Sequence, residues 1–165
     1  MELTFAPKGR IQINDARLIF KNFAGAPSKY NREGDRNFAV VIPNREIADA
    51  LVNDKNKYGV GWNVVVKEPK DEGDEPLMHL KVKVKFSDRG PKVYLVSGNA
   101  VNRLTENTIR RLDNVDILSV NLDIRPYDDE INGKPFRAAY LEAMEVVQNI
   151  DRFSARYADE EFPEE

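Results

Sequence analysis

Three lysines alternate with apolar residues over positions 80–86, in the order Leu-Lys-Val-Lys-Val-Lys-Phe. In a β-strand, side chains two positions apart point to the same face and lie about 7 Å apart. Lys81, Lys83 and Lys85 would therefore form a row of positive charge that could bind the phosphates of a nucleic acid. The alternative is an edge strand whose lysines discourage aggregation. Beyond the following turn, the row would continue with Arg89 and Lys92 and end near Tyr94.

A second basic segment lies nearer the N-terminus, where residues 8–38 carry a net charge of +4. Aromatic residues are interleaved with these cations. Single-stranded nucleic acid is bound by basic grooves whose flat rings stack on unpaired bases. The pattern predicts Phe20 and Phe38 in the core, and Tyr30 as a stacking residue because its neighbours are polar. The predicted phosphate-binding residues of this segment are Arg10, Arg17, Lys21, Lys29, Arg32 and Arg36.

Three more candidates for nucleic-acid contact lie outside these two segments. Trp62 stands between Gly61 and Asn63 at the start of a predicted strand, where its ring suits either the core or a stacking position. The other two candidates, at the end of another predicted strand, are Arg125 and Tyr127.

Residues that could carry catalysis are few. The chain has no cysteine and one histidine, His79, which excludes disulfides, thiolate metal sites and multi-histidine metal centres. No serine lies in a nucleophile elbow, and the scattered glycines form no P-loop. We expect neither an enzyme nor a cofactor. The rival is a Mg²⁺-dependent nuclease, although acidic runs are usually solvated surface. Its candidate carboxylates are Asp123, Asp128, Asp129 and Glu130.

Charge is divided unevenly along the chain. The formal net charge is −3, but residues 159–165 alone carry −5, which leaves +2 for residues 1–158. The acidic end has too few apolar residues to fold alone and is predicted to be disordered. It could compete with nucleic acid for a basic groove and recruit proteins once displaced, or it could only aid solubility. The tail consists of Asp159, Glu160, Glu161, Phe162, Pro163, Glu164 and Glu165.

The elements that would position these residues are mainly strands. The clearest is a hairpin over residues 115–147, in which apolar and polar side chains alternate and Asn132-Gly133 suits a tight turn. The residues between Pro126 and Pro135 are predicted to form its polar tip. The predicted apolar face of its first strand consists of Leu118, Val120, Leu122 and Ile124.

Other elements follow from turn residues and apolar spacing. Asn44 predicts the start of a helix of about ten residues, and Thr105 could cap a second, shorter helix. Residues 1–9 read as a loose lead-in and residues 24–37 as a long surface loop. Strands are predicted over residues 10–23 with a bend at positions 14–15, and over 38–42, 61–67, 78–87 and 92–97.

Six or seven strands with frequent turns favour a small antiparallel barrel or sandwich. We predict one domain over residues 1–150, followed by the tail over residues 151–165. No apolar run approaches the roughly 20 residues of a membrane span, and the N-terminus lacks the features of a signal peptide. These absences favour a soluble, cytoplasmic protein.

Several of these strings are similar to bacteriophage single-stranded DNA-binding proteins of the OB-fold kind, with coverage from about residue 9 to residue 150. They are Ala-Arg-Leu-Ile-Phe-Lys-Asn-Phe from residue 16, Arg-Asn-Phe-Ala-Val-Val-Ile-Pro from residue 36, Trp-Asn-Val-Val-Val-Lys from residue 62, and the hairpin. The tail resembles the acidic, protein-recruiting tails of such proteins. It departs from the bacterial form because Glu164 and Glu165 follow Phe162-Pro163, which puts binding to the usual host partners in doubt.

The resemblance implies an OB-fold-like antiparallel barrel with a long C-terminal hairpin and one or two short helices. It implies sequence-tolerant coating of single-stranded DNA during phage replication or recombination, in the host cytoplasm and without a cofactor. Tyr30, Trp62 and Tyr94 would stack on bases, while the 24–37 loop and the hairpin tip would close over the strand. The tail would recruit replication or recombination proteins, and the oligomeric state stays open, a homodimer included. The rival is a protein-interaction module, such as a virion or host-takeover factor, with no affinity for oligonucleotides.

Overall fold

A computed structural model describes residues 1–150 and residue 153 of the 165-residue chain. The helix α1 spans Arg45–Asn53, and two 3-10 turns span Pro7–Gly9 and Ile109–Asp113. The strands are β1 (Glu2–Phe5), β2 (Ile11–Asn14), β3 (Leu18–Asn22), β4 (Arg36–Val41), β5 (Val64–Lys67), β6 (Leu77–Val84), β7 (Lys92–Ser97), β8 (Ala100–Leu104), β9 (Ile117–Ile131) and β10 (Lys134–Gln148).

The hairpin of β9 and β10 is the longest feature of the fold. Asn132 and Gly133 have φ angles of 53° and 78°, which are the left-handed values that a two-residue hairpin turn requires. Pairing begins at the residues that flank this turn and follows both strands. The predicted extent of the polar tip, from Pro126 to Pro135, is therefore wrong, because Pro126 pairs with Ala139 inside the ladder.

Strands β2 and β3 are two halves of one bent segment, as the sequence predicts. Asp15 lies at the bend with a φ of 54°. Before the bend the segment pairs with β9, and after it with β4. Because the strand order runs β2-β9-β10-β6-β4-β3, the bend joins the two ends of this order. The sheet itself stays open, because β1 and β3, the described strands at its two ends, do not pair with each other.

Strand β10 makes the sheet mixed. It is antiparallel to β9 on one side, and on the other it is parallel to β6 at Tyr140 and Lys83 and to β7 over residues 143–147. The prediction of a mainly β chain is confirmed, and its sheet is open and mixed. The prediction that all strands are antiparallel is wrong, because β6 and β7 both pair in parallel with β10, on the side of β10 opposite β9.

The core follows the predicted alternation in β6 and in most of β9. Leu80, Val82 and Val84 of β6 are buried, as are the alternating apolar residues of β9 from Val120 onward. Leu118 is the exception and is 64% exposed. Its predicted core position is wrong, because the register with β10 shifts at this residue, between the pairs Ser119–Val147 and Ile117–Gln148.

The phenylalanines near β3 are distributed differently from the prediction. Phe38 is buried as predicted, and its ring stacks on Phe23 with centroids 5.1 Å apart. Phe20 is 62% exposed, so its predicted core position is wrong. The pairing of β3 with β4 is irregular between Ile19 and Asn22. This irregularity interrupts the two-residue alternation from which the prediction was made.

The predicted helix forms and closes one side of the core. The Asn44 side chain accepts a hydrogen bond from the Ile47 N–H at 2.9 Å, which is the expected N-cap contact. Ala48 and Leu51 are buried beneath it. A Cβ on Gly61 would lie 1.9 Å from the Val52 carbonyl oxygen, so only glycine lets the chain return this closely to α1.

The sequence pattern predicts neither β1 nor β8. The N-terminal lead-in is a strand that pairs with β2, and β8 follows β7 as the second strand of a hairpin. The segment after Thr105 is a 3-10 turn rather than an α-helix. Within residues 1–150 and 153, the structure contains no helix that is long and apolar enough to cross a membrane.

Candidate nucleic-acid interface

Strand β6 lies inside the sheet rather than at its edge. It pairs with β4 along one side and with β5 and β10 along the other. The edge-strand interpretation of its lysines is therefore wrong, because an interior strand has no free edge to protect. Lys81, Lys83 and Lys85, here called the lysine row, are all exposed. Within residues 1–150, no carboxylate forms an ion pair with any of them.

Polar and aromatic residues of neighbouring strands lie beside the lysine row. Lys83 is in register with Asn37 of β4 and with Tyr140 of β10, and Tyr140 is in register with Arg125 of β9. Residues in register across a sheet point to the same face. Four strands therefore place these side chains next to one another on the outer face of the sheet.

Tyr140 is the centre of an aromatic group on this face. The Arg125 guanidinium lies 4.9 Å from the centroid of its ring, within the range of a cation–π contact. The Tyr127 ring meets it edge-on with centroids 5.9 Å apart, and Phe136 lies 6.2 Å from Tyr127. The predicted contacts Arg125 and Tyr127 are thus brought to the lysine row through Tyr140.

The predicted surface loop forms a wall above the lysine row. Its base is fixed by Asp113, whose carboxylate accepts hydrogen bonds from the Phe23 and Ala24 N–H groups at 2.8 and 3.0 Å. At the far end, the Asn37 side chain donates to Asn31 at 2.9 Å. These anchors present the tip of the loop, where Tyr30 is 88% exposed.

A cleft of about 530 Å³ separates this loop from the lysine row. Arg36 lies within it, 3.6 Å from the Glu106 carboxylate and with its Nε buried and without a hydrogen-bond partner in the described part of the chain. Lys29 is adjacent, with its ammonium 5.5 Å from the Tyr30 ring. The residues that line the cleft include Tyr30, Asn31, Arg32, Arg36, Asn37, Lys81, Lys83, Lys85 and Tyr140.

A smaller cleft of about 250 Å³ lies on the hairpin side of the lysine row. Lys81 and Lys83 line both clefts, so the lysine row is their common boundary. Phe136 contributes an aromatic side chain to the smaller cleft. The two clefts together form a continuous basic and aromatic surface along β6.

Trp62 lies against this smaller cleft, but its ring is buried. It is 2% exposed, and its indole N–H donates to the Asp54 carboxylate at 2.9 Å. The Arg137 guanidinium lies 4.8 Å from its ring. The stacking role predicted for Trp62 is wrong, because no ring face is open to a base.

Other predicted contact residues lie away from these clefts. Arg17 and Lys21 line a depression beside the start of β9. The Lys21 ammonium donates to the Leu112 carbonyl at 2.9 Å. Tyr94 lies on β7 with the Arg103 guanidinium 6.0 Å from its ring. The structure therefore divides the predicted cations among separate surfaces.

A third surface combines predicted cations with acidic residues. Arg10, Arg89 and Lys92 line it together with Asp123 and Glu142. Arg10 forms an ion pair with Glu142 at 2.7 Å. Burial and the neighbouring charge of Glu142 raise the pKa of Asp123 against the opposing effect of Arg10. The cations here are partly compensated, unlike those of the lysine row.

The acidic hairpin residues are separated rather than gathered. The Asp128 carboxylate accepts hydrogen bonds from Arg137 Nε and the Asn56 side chain, both at 2.8 Å. Asp129 instead accepts from the Tyr127 hydroxyl at 3.0 Å. Among the residues that the structure describes, no three acidic or histidine side chains are placed to share a metal ion. The ligand set suggested for a nuclease therefore does not assemble here.

Arg137 and its partners hold the hairpin against the segment that follows α1. Its side chain is 5% exposed, and it donates to the Asp54 carbonyl at 2.7 Å in addition to its pair with Asp128. We call this group the Arg137 clamp, and it consists of Asp54, Asn56, Trp62, Asp128 and Arg137.

Sequence reasoning missed Tyr140, Phe136 and Asn37. The signal for Tyr140 was available, because Ala139 and Leu141 beside it are apolar, and alternation then predicts Tyr140 on the outer face. Both neighbours are buried in the structure. No local signal brings it beside Lys83. The predicted tail residues 159–165 lie outside the described part of the chain.

The chain is similar to a known protein family and to solved structures. A family model described as "Putative phage ssDNA-binding domain" matches residues 3–165. The structure is similar to the single-stranded DNA-binding protein of bacteriophage Enc34 in complex with ssDNA, with a TM-score of 0.55, 16% identity, and 92% of this chain and 93% of that chain covered. A C-terminal truncation of the Enc34 protein gives a TM-score of 0.53, 15% identity, and 90% and 91% coverage. No curated protein matches the sequence.

Proposed function

The chain belongs to the family of phage ssDNA-binding domains, and we propose that it binds single-stranded DNA along the lysine row without reading base sequence. The observation that carries this proposal is the register of Asn37, Lys83, Tyr140 and Arg125 across four strands. This register sets unpaired cations beside aromatic rings on one open face. Single-stranded DNA requires that combination, because its phosphates need charge and its unpaired bases need flat surfaces.

The lysine row would hold the phosphate backbone. Lys81 and Lys83 lie about 7 Å apart on one face of β6, and Lys85 follows directly after the strand. All three line the larger cleft, and each is exposed without a competing carboxylate inside the described residues. Arg36 adds a guanidinium to the lining of the cleft, where the Glu106 carboxylate 3.6 Å away partly compensates its charge. Neutralising phosphates releases the counterions condensed on DNA, so binding would weaken as salt concentration rises.

Tyr30 and Tyr140 would stack on bases from opposite walls of the larger cleft. Tyr30 stands on the anchored loop, and Tyr140 lies on the floor beside Lys83. Every base has a π-face, so stacking tolerates all four bases. These contacts involve no bidentate pattern of donors and acceptors directed at base edges, and we therefore expect little sequence preference.

Family membership favours this function over the protein-interaction module and the nuclease. A protein-interaction module has no need for an uncompensated lysine row inside a sheet. A nuclease would need carboxylates on one metal, whereas Asp128 is held by Arg137 and Asn56. We accordingly propose a non-enzymatic role in phage DNA replication or recombination in the host cytoplasm.

The experiment is fluorescence anisotropy of labelled oligo-dT titrated at several salt concentrations. We compare the wild type with a Lys81→Ala/Lys83→Ala/Lys85→Ala variant. A control variant, Lys55→Ala/Lys67→Ala/Lys70→Ala, removes the same charge from exposed lysines outside the two clefts. Three lost phosphate contacts should reduce the slope of log affinity against log salt by about 2 for a single strand.

The control variant should keep a slope close to that of the wild type. Equal slopes for both triple variants would contradict a specific role of the lysine row. Absence of binding by the wild type, even at low salt, would contradict DNA binding as a whole and leave the protein-interaction module.

We further propose that the acidic tail competes with DNA and recruits replication or recombination proteins. The charges that motivate this proposal are the five carboxylates of residues 159–165, set against +2 for the rest of the chain. A truncation to residues 1–158 should bind oligo-dT more tightly than the full chain at low salt. Equal affinity of the two forms would contradict competition by the tail.

A further inference from the structure

Phe20 combines backbone strain with exposure. Its φ angle is 52°, in the left-handed region that bulky residues rarely adopt. It lies where the pairing of β3 with β4 is irregular, between Ile19 and Asn22. Its side chain is nevertheless 62% exposed. A glycine or asparagine would adopt the same backbone conformation more readily.

Packing of the core does not explain why position 20 carries a phenylalanine. The buried aromatic side chain that follows β3 is Phe23, which is fully buried and stacked on Phe38. Strained residues persist where the surrounding structure holds them, and they are concentrated at ligand-binding sites. The exposed ring is therefore the feature to be explained.

The ring of Phe20 lies at one end of the lysine row. It contacts His79 edge-to-face, with centroids 5.3 Å apart and an interplanar angle of 78°. His79 is two residues before Lys81 on β6, so its side chain lies on the same face, about 7 Å further along the strand. Burial lowers the pKa of His79, so the contact is between two uncharged rings at neutral pH.

We propose that Phe20 stacks on a base of single-stranded DNA and extends the binding path beyond the lysine row toward β3. This inference rests on the proposed function and adds a further binding position to it. The path would then run from Tyr30 past Lys85, Lys83 and Lys81 to Phe20. DNA short enough to occupy only the larger cleft would not reach Phe20, whereas longer DNA would.

The test compares oligo-dT of about 4, 8, 12 and 16 nucleotides, which covers the usual range of site sizes. The variant is Phe20→Asn, because asparagine tolerates the left-handed backbone and removes the ring. Phe20→Tyr retains a ring at the same position. Phe5→Asn is the matched control, since Phe5 is also exposed, at 48%, but lies on β1 and lines neither of the two clefts.

We expect Phe20→Asn to reduce affinity for the longest oligonucleotides by about 5- to 100-fold, the range for loss of one stacked base. Affinity for the shortest oligonucleotides should be unchanged, and Phe20→Tyr should bind like the wild type. Thermal melting of each variant checks that it is folded. Equal affinity of the wild type and Phe20→Asn at every length would overturn the inference while leaving the proposed function intact.

A second measurement does not depend on a variant. Oligo-dT that carries 5-iododeoxyuridine at one position is irradiated with the full-length wild-type protein, and the crosslinked peptides are identified by mass spectrometry. A crosslink to Phe20, formed by a long oligonucleotide and missing with a short one, is the expected result. Crosslinks restricted to the larger cleft at every length would overturn the extension. If the wild type binds no oligonucleotide at all, the proposed function fails as well.

Discussion

The lysine row and the Arg137 clamp lie on opposite sides of the smaller cleft and use charge in opposite ways. Each residue of the lysine row is exposed, and no carboxylate within residues 1–150 pairs with it. The Arg137 side chain is 5% exposed and contacts Asp128, Asp54 and Trp62. A cation that is already paired and buried is committed to the fold. A cation that is exposed and unpaired is available to a ligand.

This contrast separates stability from binding. A buried charge costs desolvation energy, so its partners must remain in place. An exposed lysine contributes little to folding, and similar charges at about 7 Å even repel one another weakly. Substitutions in the clamp should therefore change mainly the free energy of unfolding. Substitutions on the outer face beside the lysine row should change mainly the affinity for DNA.

The largest expected effect is that of Arg137→Met. Removing the guanidinium leaves Asp128 without its principal ion-pair partner and Trp62 without its cation–π contact. Loss of one partner from a buried pair should lower the free energy of unfolding by about 3 kcal/mol. Urea denaturation measures this change. A decrease in the free energy of unfolding no larger than that of an ordinary surface substitution would show that the clamp does not hold the hairpin.

Tyr140→Leu is expected to have the next largest effect, on binding rather than folding. Loss of a stacking ring should weaken oligo-dT binding by about 2 kcal/mol, and leucine keeps an apolar side chain at this position of the sheet. Tyr58→Leu is a suitable control, because the Tyr58 ring packs beside Lys57 away from both clefts. Anisotropy titrations that give similar losses for both tyrosines would contradict a specific role for Tyr140.

Acid should weaken the clamp in a defined pH range. Burial by itself raises the pKa of Asp128, but hydrogen bonds from Arg137 and Asn56 and the charges of Arg137 and Lys57 lower it below the ordinary value of 3.8. A depressed pKa in the folded state stabilises the fold above pH 3.8, and this contribution is lost as pH falls through the folded-state pKa.

Urea denaturation between pH 6 and pH 2 measures the acid effect against an Asp128→Asn control. Asparagine cannot titrate, so the variant should lose less stability than the wild type below pH 3.8. Parallel pH profiles for the two proteins would show that Asp128 does not contribute to acid unfolding.

The smallest expected effect is that of Lys83→Met on folding. Substitutions at exposed positions without partners usually change stability by at most about 0.5 kcal/mol, and removal of one member of the lysine row also relieves repulsion. The same variant should bind oligo-dT less tightly with a shallower salt dependence. A stability loss comparable to that of Arg137→Met would remove the distinction between the two regions.

Much of the fold could be predicted from local patterns. Alternation correctly placed Val82 and Val84 of β6 in the core, and Asn132-Gly133 correctly placed the hairpin turn. The N-cap at Asn44 was also correct. Phe20 was misplaced, because a pairing irregularity in β3 leaves no mark in the spacing of apolar residues. Strand β8 was missed since four of its five residues are exposed, and it therefore lacks a clear apolar face.

The candidate site could be predicted only in part. The lysines of β6 were identified correctly as an exposed row, and Tyr30 as an exposed aromatic residue. Composition alone could not distinguish the cations of the larger cleft from Lys21, whose ammonium is bound to the Leu112 carbonyl. It also could not show that Trp62 is enclosed by Arg137.

The sequence by itself determined which side chains share a face within one strand and where the chain turns. Those properties depend on backbone preferences and on the two-residue period of a strand, which are local. Only the tertiary structure decided that Tyr140 lies beside Lys83 and that Arg137 turns inward to Asp128. Strand pairing depends on burial and hydrogen bonding between segments far apart in the chain, and no spacing within a single segment encodes that choice.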